Sequence, residues 1–121
     1  MTIDVRDKEI SLAAQVSAIG RDILVTVTGG KSHIGSISSA VPDKEGGVET
    51  STLTYPGHKD AVIGDRFAER LCRLWGRKAV VLCGIHYDNA SPELINHIVK
   101  KADELLERLC AADLQIYLQE R

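Results

Sequence analysis

Apolar and polar residues alternate along most of the first half of the chain, which is the pattern of strands that bury one face. A Gly-Arg-Asp turn at residues 20–22 joins two such segments, 9–19 and 22–28, and together they predict a hairpin. Residues 33–41 and 48–55, separated by a polar turn, predict two further strands. The first half is therefore predicted to be an antiparallel meander. The predicted inward face of the first strand carries Ile10, Leu12, Ala14, Val16 and Ala18.

The second half of the chain changes to the helical period. A helix is predicted from about Lys59 to Gly76, and the apolar, β-branched run at 78–85 predicts a buried strand. Ser91 and Pro92 then suit the N-cap and the first position of a last helix. An extension of this helix through Leu114 and Tyr117 would be available to a partner subunit, which favours a homodimer. The apolar stripe comprises Leu94, Ile95, Ile98, Val99, Ala102, Leu105, Leu106 and Leu109.

The elements in the order β-β-β-β-α-β-α predict an α+β fold. Its two helices would pack on one face of an antiparallel meander that gains one further strand. A chain of 121 residues has the length of one domain, so residues 1–121 are predicted to form a single domain.

Composition narrows the classes of function. The formal net charge is −2 and aromatic residues make up only 4%, which argues against binding to nucleic acid or to anionic membranes. No apolar stretch approaches membrane-spanning length, and the charged N-terminus lacks the apolar core of a signal peptide. Cys72, Cys83 and Cys110 lie in apolar runs and are expected to be buried, reduced thiols. We therefore expect a cytoplasmic protein.

The segment Gly29-Gly30-Lys31-Ser32 is a candidate site for an anion. It is not a P-loop, because the first glycine of that motif is replaced by Val25 and the following residues do not predict a helix. Two glycines that can adopt positive φ could still present backbone N–H groups to a phosphate, with Lys31 beside them. The alternative interpretation is a flexible turn between two strands.

Three of the four histidines lie at predicted element ends. His33 follows the glycine turn, His58 precedes the first helix and His86 ends the buried strand, whereas His97 lies on the polar face of the last helix. Three imidazoles on one rim could provide acid–base chemistry near neutral pH or hold a metal ion. Their spacing matches no metal motif, so we expect no metal. Without convergence, each would be an ordinary surface or capping histidine.

The residues after His86 allow both a structural and a functional interpretation. Asp88 and Asn89 precede the Ser91 cap, where Asx turns are favoured. Asp88 is also close enough in sequence to orient His86 by hydrogen bonding. Gly84 would permit the close approach of a ligand or of another backbone segment. No serine or cysteine stands in a recognisable nucleophile context, so we expect no catalytic residue of that kind.

Three ordered motifs carry a resemblance to a known family. They are GGKSHIG at 29–35, HKD at 58–60 and GIHYDNA at 84–90. Over roughly residues 7–109 the chain resembles the LpdD-like prenylated-flavin chaperone family, which includes the small D subunit of gallate decarboxylase. The resemblance implies a fold similar to that of small proteasome-assembly chaperones.

The resemblance also implies a function and a partner. The protein would be a non-catalytic accessory subunit that helps to load or maintain prenylated FMN, or FMN, in a UbiD-type decarboxylase of hydroxylated aromatic acids. Two alternatives stay open, namely a small enzyme that uses a His86/Asp88 acid–base pair and a purely structural assembly module. The candidate cofactor-binding residues are Gly29, Gly30, Lys31, His33, His58, His86, Asp88 and Asn89.

Overall fold

The computed structural model describes residues 1–55 and 60–112. Within these residues six strands form one sheet, and two helices follow the fifth and the sixth strand. The elements are β1 (Thr2–Arg6), β2 (Ser11–Ile19), β3 (Asp22–Gly30), β4 (Ser36–Pro42), β5 (Val48–Thr54), α1 (Ala61–Trp75), β6 (Ala79–His86) and α2 (Pro92–Ala111).

The spatial order of the strands is β1-β2-β3-β6-β4-β5. The predicted hairpins β2–β3 and β4–β5 are both present and antiparallel. However, β6 lies between them, parallel to β3 and antiparallel to β4, so the sheet is mixed and the predicted meander is interrupted. The connection from β3 to β4, residues 31–35, must therefore cross the carboxyl end of β6. We call these residues the crossing loop.

The predicted order also lacked the first strand. Residues 2–6 pair antiparallel with β2, and Val5 on their inward face is 2% exposed. The segment is only five residues long and carries Asp4 and Arg6 on its other face, so its alternation gives a weak signal. The α+β class and the two helices agree with the prediction.

The predicted helix caps are confirmed. The hydroxyl of Ser91 accepts a hydrogen bond from the N–H of Leu94 at 3.1 Å, and Pro92 is the first helical residue. At the end of α1, Gly76 adopts a left-handed φ of 63° and its N–H donates to the Cys72 carbonyl. The proposed extension through Leu114 and Tyr117 lies outside the described residues.

One face of the sheet is covered by both helices. Helix α1 lies against β4, β5 and β6, and α2 lies against β1 and β2. The core between the layers is apolar, and burying such side chains is the main stabilising contribution to folding. Its fully buried large members include Leu12, Val16, Val25, Val27, Phe67, Leu71, Val81, Leu105 and Leu109.

The three cysteines are free thiols. Cys72 and Cys83 are buried, as expected, and Cys110 is half-buried. In the part of the chain that the structure describes, neither helix is apolar and long enough to cross a membrane.

Candidate functional site

The carboxyl end of β6 lies beneath the crossing loop. Gly30 pairs with His86 in the sheet register, and the N–H of Lys31 donates to the His86 carbonyl at 2.9 Å. The loop then passes over the strand and the N–H of Gly35 donates to the Cys83 carbonyl, also at 2.9 Å. These bonds fix the first predicted motif against the third.

Gly84 makes this crossing possible. A Cβ atom at Gly84 would overlap the backbone carbonyl of His33 and lie 3.1 Å from its nitrogen. Of the two uses predicted for this glycine, the structure therefore shows the approach of another backbone segment. The same requirement applies at Gly30, which adopts a φ of 62° and where a Cβ atom would overlap the His86 carbonyl.

A chain of polar side chains, His86, Asp88 and Lys31, joins the crossing loop to the turn after β6. The Asp88 carboxylate contacts His86 Nε2 at 3.0 Å through one oxygen and accepts a hydrogen bond from the Lys31 ammonium through the other. Lys31 and, to a lesser degree, His86 hold the pKa of the Asp88 carboxyl below its ordinary value. The predicted orientation of His86 by Asp88 is thus present, and Lys31 is part of the same network.

This network changes the interpretation of the glycine turn. The N–H of Lys31 is bonded to the strand, and its ammonium already has an anionic partner. Gly29 lies against β2, where a Cβ atom would overlap the Leu12 side chain. The turn is therefore an ordered connection, and any phosphate at Lys31 must compete with Asp88 for the ammonium.

A buried carboxylate lies below the loop at the start of α1. Asp60 is 6% exposed, and its Oδ1 accepts a hydrogen bond from the N–H of Ile85 at 2.9 Å. Its Oδ2 lies 3.6 Å from Nε2 of His33. A Cβ atom at Gly35 would overlap this oxygen, so glycine is needed there to admit the carboxylate.

Asp60 also affects the thiol of Cys83. The sulfur lies 3.9 Å from Asp60 Oδ1, in a buried environment. Burial, together with the neighbouring carboxylate, raises the pKa of the Cys83 thiol to about 12. The thiol therefore stays protonated at neutral pH and is not a nucleophile.

Two of the three predicted rim histidines are brought together. The rings of His33 and His86 have centroids 6.1 Å apart and lie almost perpendicular to each other. His58 lies outside the described residues. His97 is elsewhere and pairs with Asp7. Among residues 1–55 and 60–112, no group of three His, Cys, Asp or Glu side chains is arranged to hold a metal ion.

A cavity of about 480 Å³ opens beside this cluster, between the first turns of α1 and α2 and the end of β6. Its polar lining includes Asp60, His86 and Asn89, the last with a left-handed φ of 55°. Tyr87 is fixed at its edge, because the hydroxyl accepts from the Ser11 N–H and donates to the Ser11 carbonyl. The apolar lining residues are Val62, Ile63, Ile85, Ala90, Ile95, Ile98 and Val99.

Sequence reasoning missed Asp60 and the apolar walls as parts of a site. Asp60 belongs to the HKD motif, but an aspartate at the start of a predicted helix is equally expected to be exposed and to interact with the helix dipole. Ile95 belongs to the apolar stripe of the last predicted helix and Val62 lies in the first predicted helix, yet they are 44% and 59% exposed at the cavity. Only the meeting of the two helix starts with the end of β6 distinguishes these residues.

The fold of this chain is similar to that of a solved chaperone structure. A similar solved structure is described as the crystal structure of a novel chaperone complex for yeast 20S proteasome assembly. Its TM-score is 0.54, and the match covers 89% of this chain and 94% of that chain. The sequence identity is 16%, so this likeness shows the fold alone.

The sequence assigns the chain to a family, which is a narrower group than proteins that share the fold. A sequence model described as the prenylated flavin chaperone LpdD-like domain matches residues 6–113. The chain therefore belongs to the LpdD-like prenylated flavin chaperone family, and the predicted resemblance is confirmed. Protein LpdD of Lactiplantibacillus plantarum (strain ATCC BAA-793 / NCIMB 8826 / WCFS1) is 29% identical over 108 residues, which cover 81% of this chain and 74% of that protein.

Proposed function

We propose that this protein is a non-catalytic accessory subunit that helps to load or maintain prenylated FMN in a UbiD-type decarboxylase. The partner would act on a hydroxylated aromatic acid such as gallate, with the modified flavin supplying the chemistry of CO₂ removal. The observation that carries the proposal is the cavity beside the histidine pair, whose walls are apolar and whose lining includes Asp60, His86 and Asn89. Membership of the prenylated flavin chaperone family supports it.

The residues around the cavity are chemically suited to bind a flavin. A flat apolar ring system suits walls made of aliphatic side chains, while a few polar groups fix its orientation. The polar edge of a flavin carries both hydrogen-bond donors and acceptors, which an imidazole, an amide and a carboxylate can match. We assign these contacts to His86, Asn89 and Asp60, with His33 behind Asp60.

The phosphate would be held at the crossing loop. Lys31 contacts the same carboxylate as His86, and this carboxylate, Asp88, is itself exposed. A phosphate dianion carries more charge than a carboxylate and offers more acceptor oxygens, so it can replace Asp88 at the ammonium. Asp88 would then keep only His86, which links phosphate binding to the orientation of the imidazole.

The proposed binding is transient. Tyr87 is the one Phe, Trp or Tyr residue among those described that line the cavity, and its hydroxyl is held by Ser11. A flavin bound here would therefore not be stacked between two aromatic side chains. Such binding suits release to a partner better than permanent retention.

The test is co-expression of the decarboxylase with variants of this protein. The double variant Lys31→Ala/His86→Ala is compared with Lys8→Ala/His97→Ala, which removes the same two residue types away from the cavity. Decarboxylase activity and its content of prenylated flavin are measured after purification of the partner. We expect both to fall with the first variant and to be retained with the second.

Two results would contradict the proposal. If the decarboxylase is equally active and fully loaded with prenylated flavin when this protein is absent, the protein has no accessory role. If both double variants load the decarboxylase with flavin equally well, the binding site does not lie at His86 and Lys31. Turnover of an aromatic acid by the isolated protein would instead favour the acid–base enzyme, for which the contact between His86 and Asp88 is the supporting observation.

A further inference from the structure

The helices leave the other face of the sheet uncovered. On β3, β6 and β4 the residues that alternate with the core point away from the helices, and we call this surface the outer face. All its central residues are half-buried, although no element of the described chain packs on them. They are Leu24, Thr26, Thr28, Val80, Leu82, Ile37, Ser39 and Val41.

Aliphatic side chains form a continuous row across this face. Leu24 is paired with Val80, and Leu82 is paired with Ile37. Ile37 is in turn paired with Leu53, which is 54% exposed. Single exposed apolar residues are common on proteins, but a contiguous apolar row marks an interaction surface.

Charge is confined to the margins of the face. The eight central residues are aliphatic residues, serine or threonine and include no ionisable side chain. On the corresponding side of the two edge strands lie Asp4 and Arg6 of β1 and Glu49 of β5, and Asp22 lies at the first position of β3. An uncharged centre with a polar rim is the usual anatomy of a protein–protein interface.

We propose that the outer face binds the outer face of a second copy of this chain, so that two sheets form a sandwich. An uncharged centre can meet itself across a two-fold axis without repulsion, whereas a charged partner surface would find no matching charge on it. Sheets pack face to face in this way at about 10 Å. This inference is independent of the proposed function.

The available area is sufficient. Counted together with its rim on β1, β2 and β5, the outer side of the sheet has six strands spaced about 4.8 Å apart. Each is about seven residues long at about 3.3 Å per residue, so this side spans roughly 550 Å² on each copy. Two copies would bury about 1,100 Å², which exceeds the approximately 1,000 Å² expected of a specific interface.

The interface would border the candidate site. Gly84 continues the outward alternation of Val80 and Leu82, and the crossing loop passes over it at His33. The exposed Ile34 in that loop lies at the same end of the sheet. Formation of the dimer would therefore cover one side of the loop that carries Lys31 and His33.

The molecular mass of the full chain in solution tests the proposal. Thr26 lies in the middle of β3, next to the centre of the sheet, so Thr26→Arg places two like charges in the interface. We expect a dimer for the wild type and a rise of at least about 100-fold in the dimer dissociation constant for Thr26→Arg. Thr50→Arg makes the same change at an exposed position on the helix side of β5 and is expected to stay dimeric.

A second variant guards against misfolding. Leu53→Glu changes a side chain that is already half exposed, so its effect on the folded monomer is small, and we expect it to weaken the dimer as well. Far-ultraviolet circular dichroism of every variant should match the wild type. A monomeric wild type at millimolar concentration, or a Thr26→Arg variant that dimerises like the wild type, overturns the proposal. A monomeric wild type whose Thr26→Arg variant fails to activate the decarboxylase would assign the face to that enzyme instead.

Discussion

Replacement of Gly84 by alanine is expected to destabilise the protein and disturb the site at the same time. The added methyl group would overlap the backbone carbonyl of His33, far inside the 3.0 Å that real Cβ contacts respect. The clash is with backbone on both sides, so no side-chain rotation can relieve it. The crossing loop must therefore move away from β6 by more than an ångström.

The magnitude follows from the hydrogen bonds that hold the loop. The N–H groups of Lys31 and Gly35 donate to the carbonyls of His86 and Cys83, both at 2.9 Å. A displaced loop loses both bonds, at about 1 kcal/mol each, and leaves the carbonyl of the fully buried Cys83 without this partner, at about 1 kcal/mol or more. We expect a loss of about 3 kcal/mol in the free energy of unfolding, or about 10 °C in Tm.

Urea unfolding of Gly84→Ala and Gly20→Ala measures this difference. Gly20 is a useful control because its φ of 58° strains any alanine, at about 1–2 kcal/mol, while nothing lies within 4 Å of the Cβ position. Nuclear magnetic resonance of the imidazoles adds a second measurement, since only Gly84→Ala should shift the signals of both His33 and His86. A Gly84→Ala variant as stable as Gly20→Ala, with unchanged imidazole signals, would refute the reasoning.

Substitutions at three other positions address the buried carboxylate, the core and acid stability. Asp60→Ala leaves the Ile85 N–H without its acceptor and should cost about 1–3 kcal/mol in urea unfolding, whereas Asp60→Asn keeps an acceptor and should cost less. Leu105→Ala empties a fully buried position of α2 and should cost about 2–5 kcal/mol, and a loss below about 1 kcal/mol would contradict the packing of that helix. The N–H groups of Ile10 and Glu9, with a smaller contribution from His97, lower the pKa of Asp7 from 3.8 to about 2. Its stabilising contribution is therefore present above pH 3.8 and is lost as the pH falls towards 2. Thermal unfolding across this range should show a flatter pH dependence for Asp7→Asn, and parallel curves would exclude the linkage.

The sequence predicted the helices and strands well where their formation depends mainly on neighbouring residues. The alternation in β2 and β3, with the Gly-Arg-Asp turn between them, predicted a hairpin from local residues alone. Ser91 and Pro92 fixed the start of α2, and Gly76 fixed the end of α1, because capping depends on neighbouring residues only. β1 was missed because five residues with two charges give too short a pattern.

The order of the strands could not be predicted in the same way. A run such as residues 78–85 has the same composition whether it lies at the edge of a sheet or between two hairpins. The residues it pairs with are 39 to 56 positions away from it in the chain, and the choice among them depends on how all the core side chains pack together. The meander was the simplest arrangement, and the parallel pairing of β6 with β3 replaced it.

The sequence by itself determined which residues carry polar chemistry at element ends, and the three motifs that identified the family. Tertiary structure decided what those residues contact. Because β6 enters between β3 and β4, the crossing loop must pass over Gly84, and this brings His33 within 6.1 Å of His86 and Lys31 onto Asp88. The same crossing buries Asp60, since a carboxylate at the start of a helix becomes part of the core only when a strand end and a loop close over it.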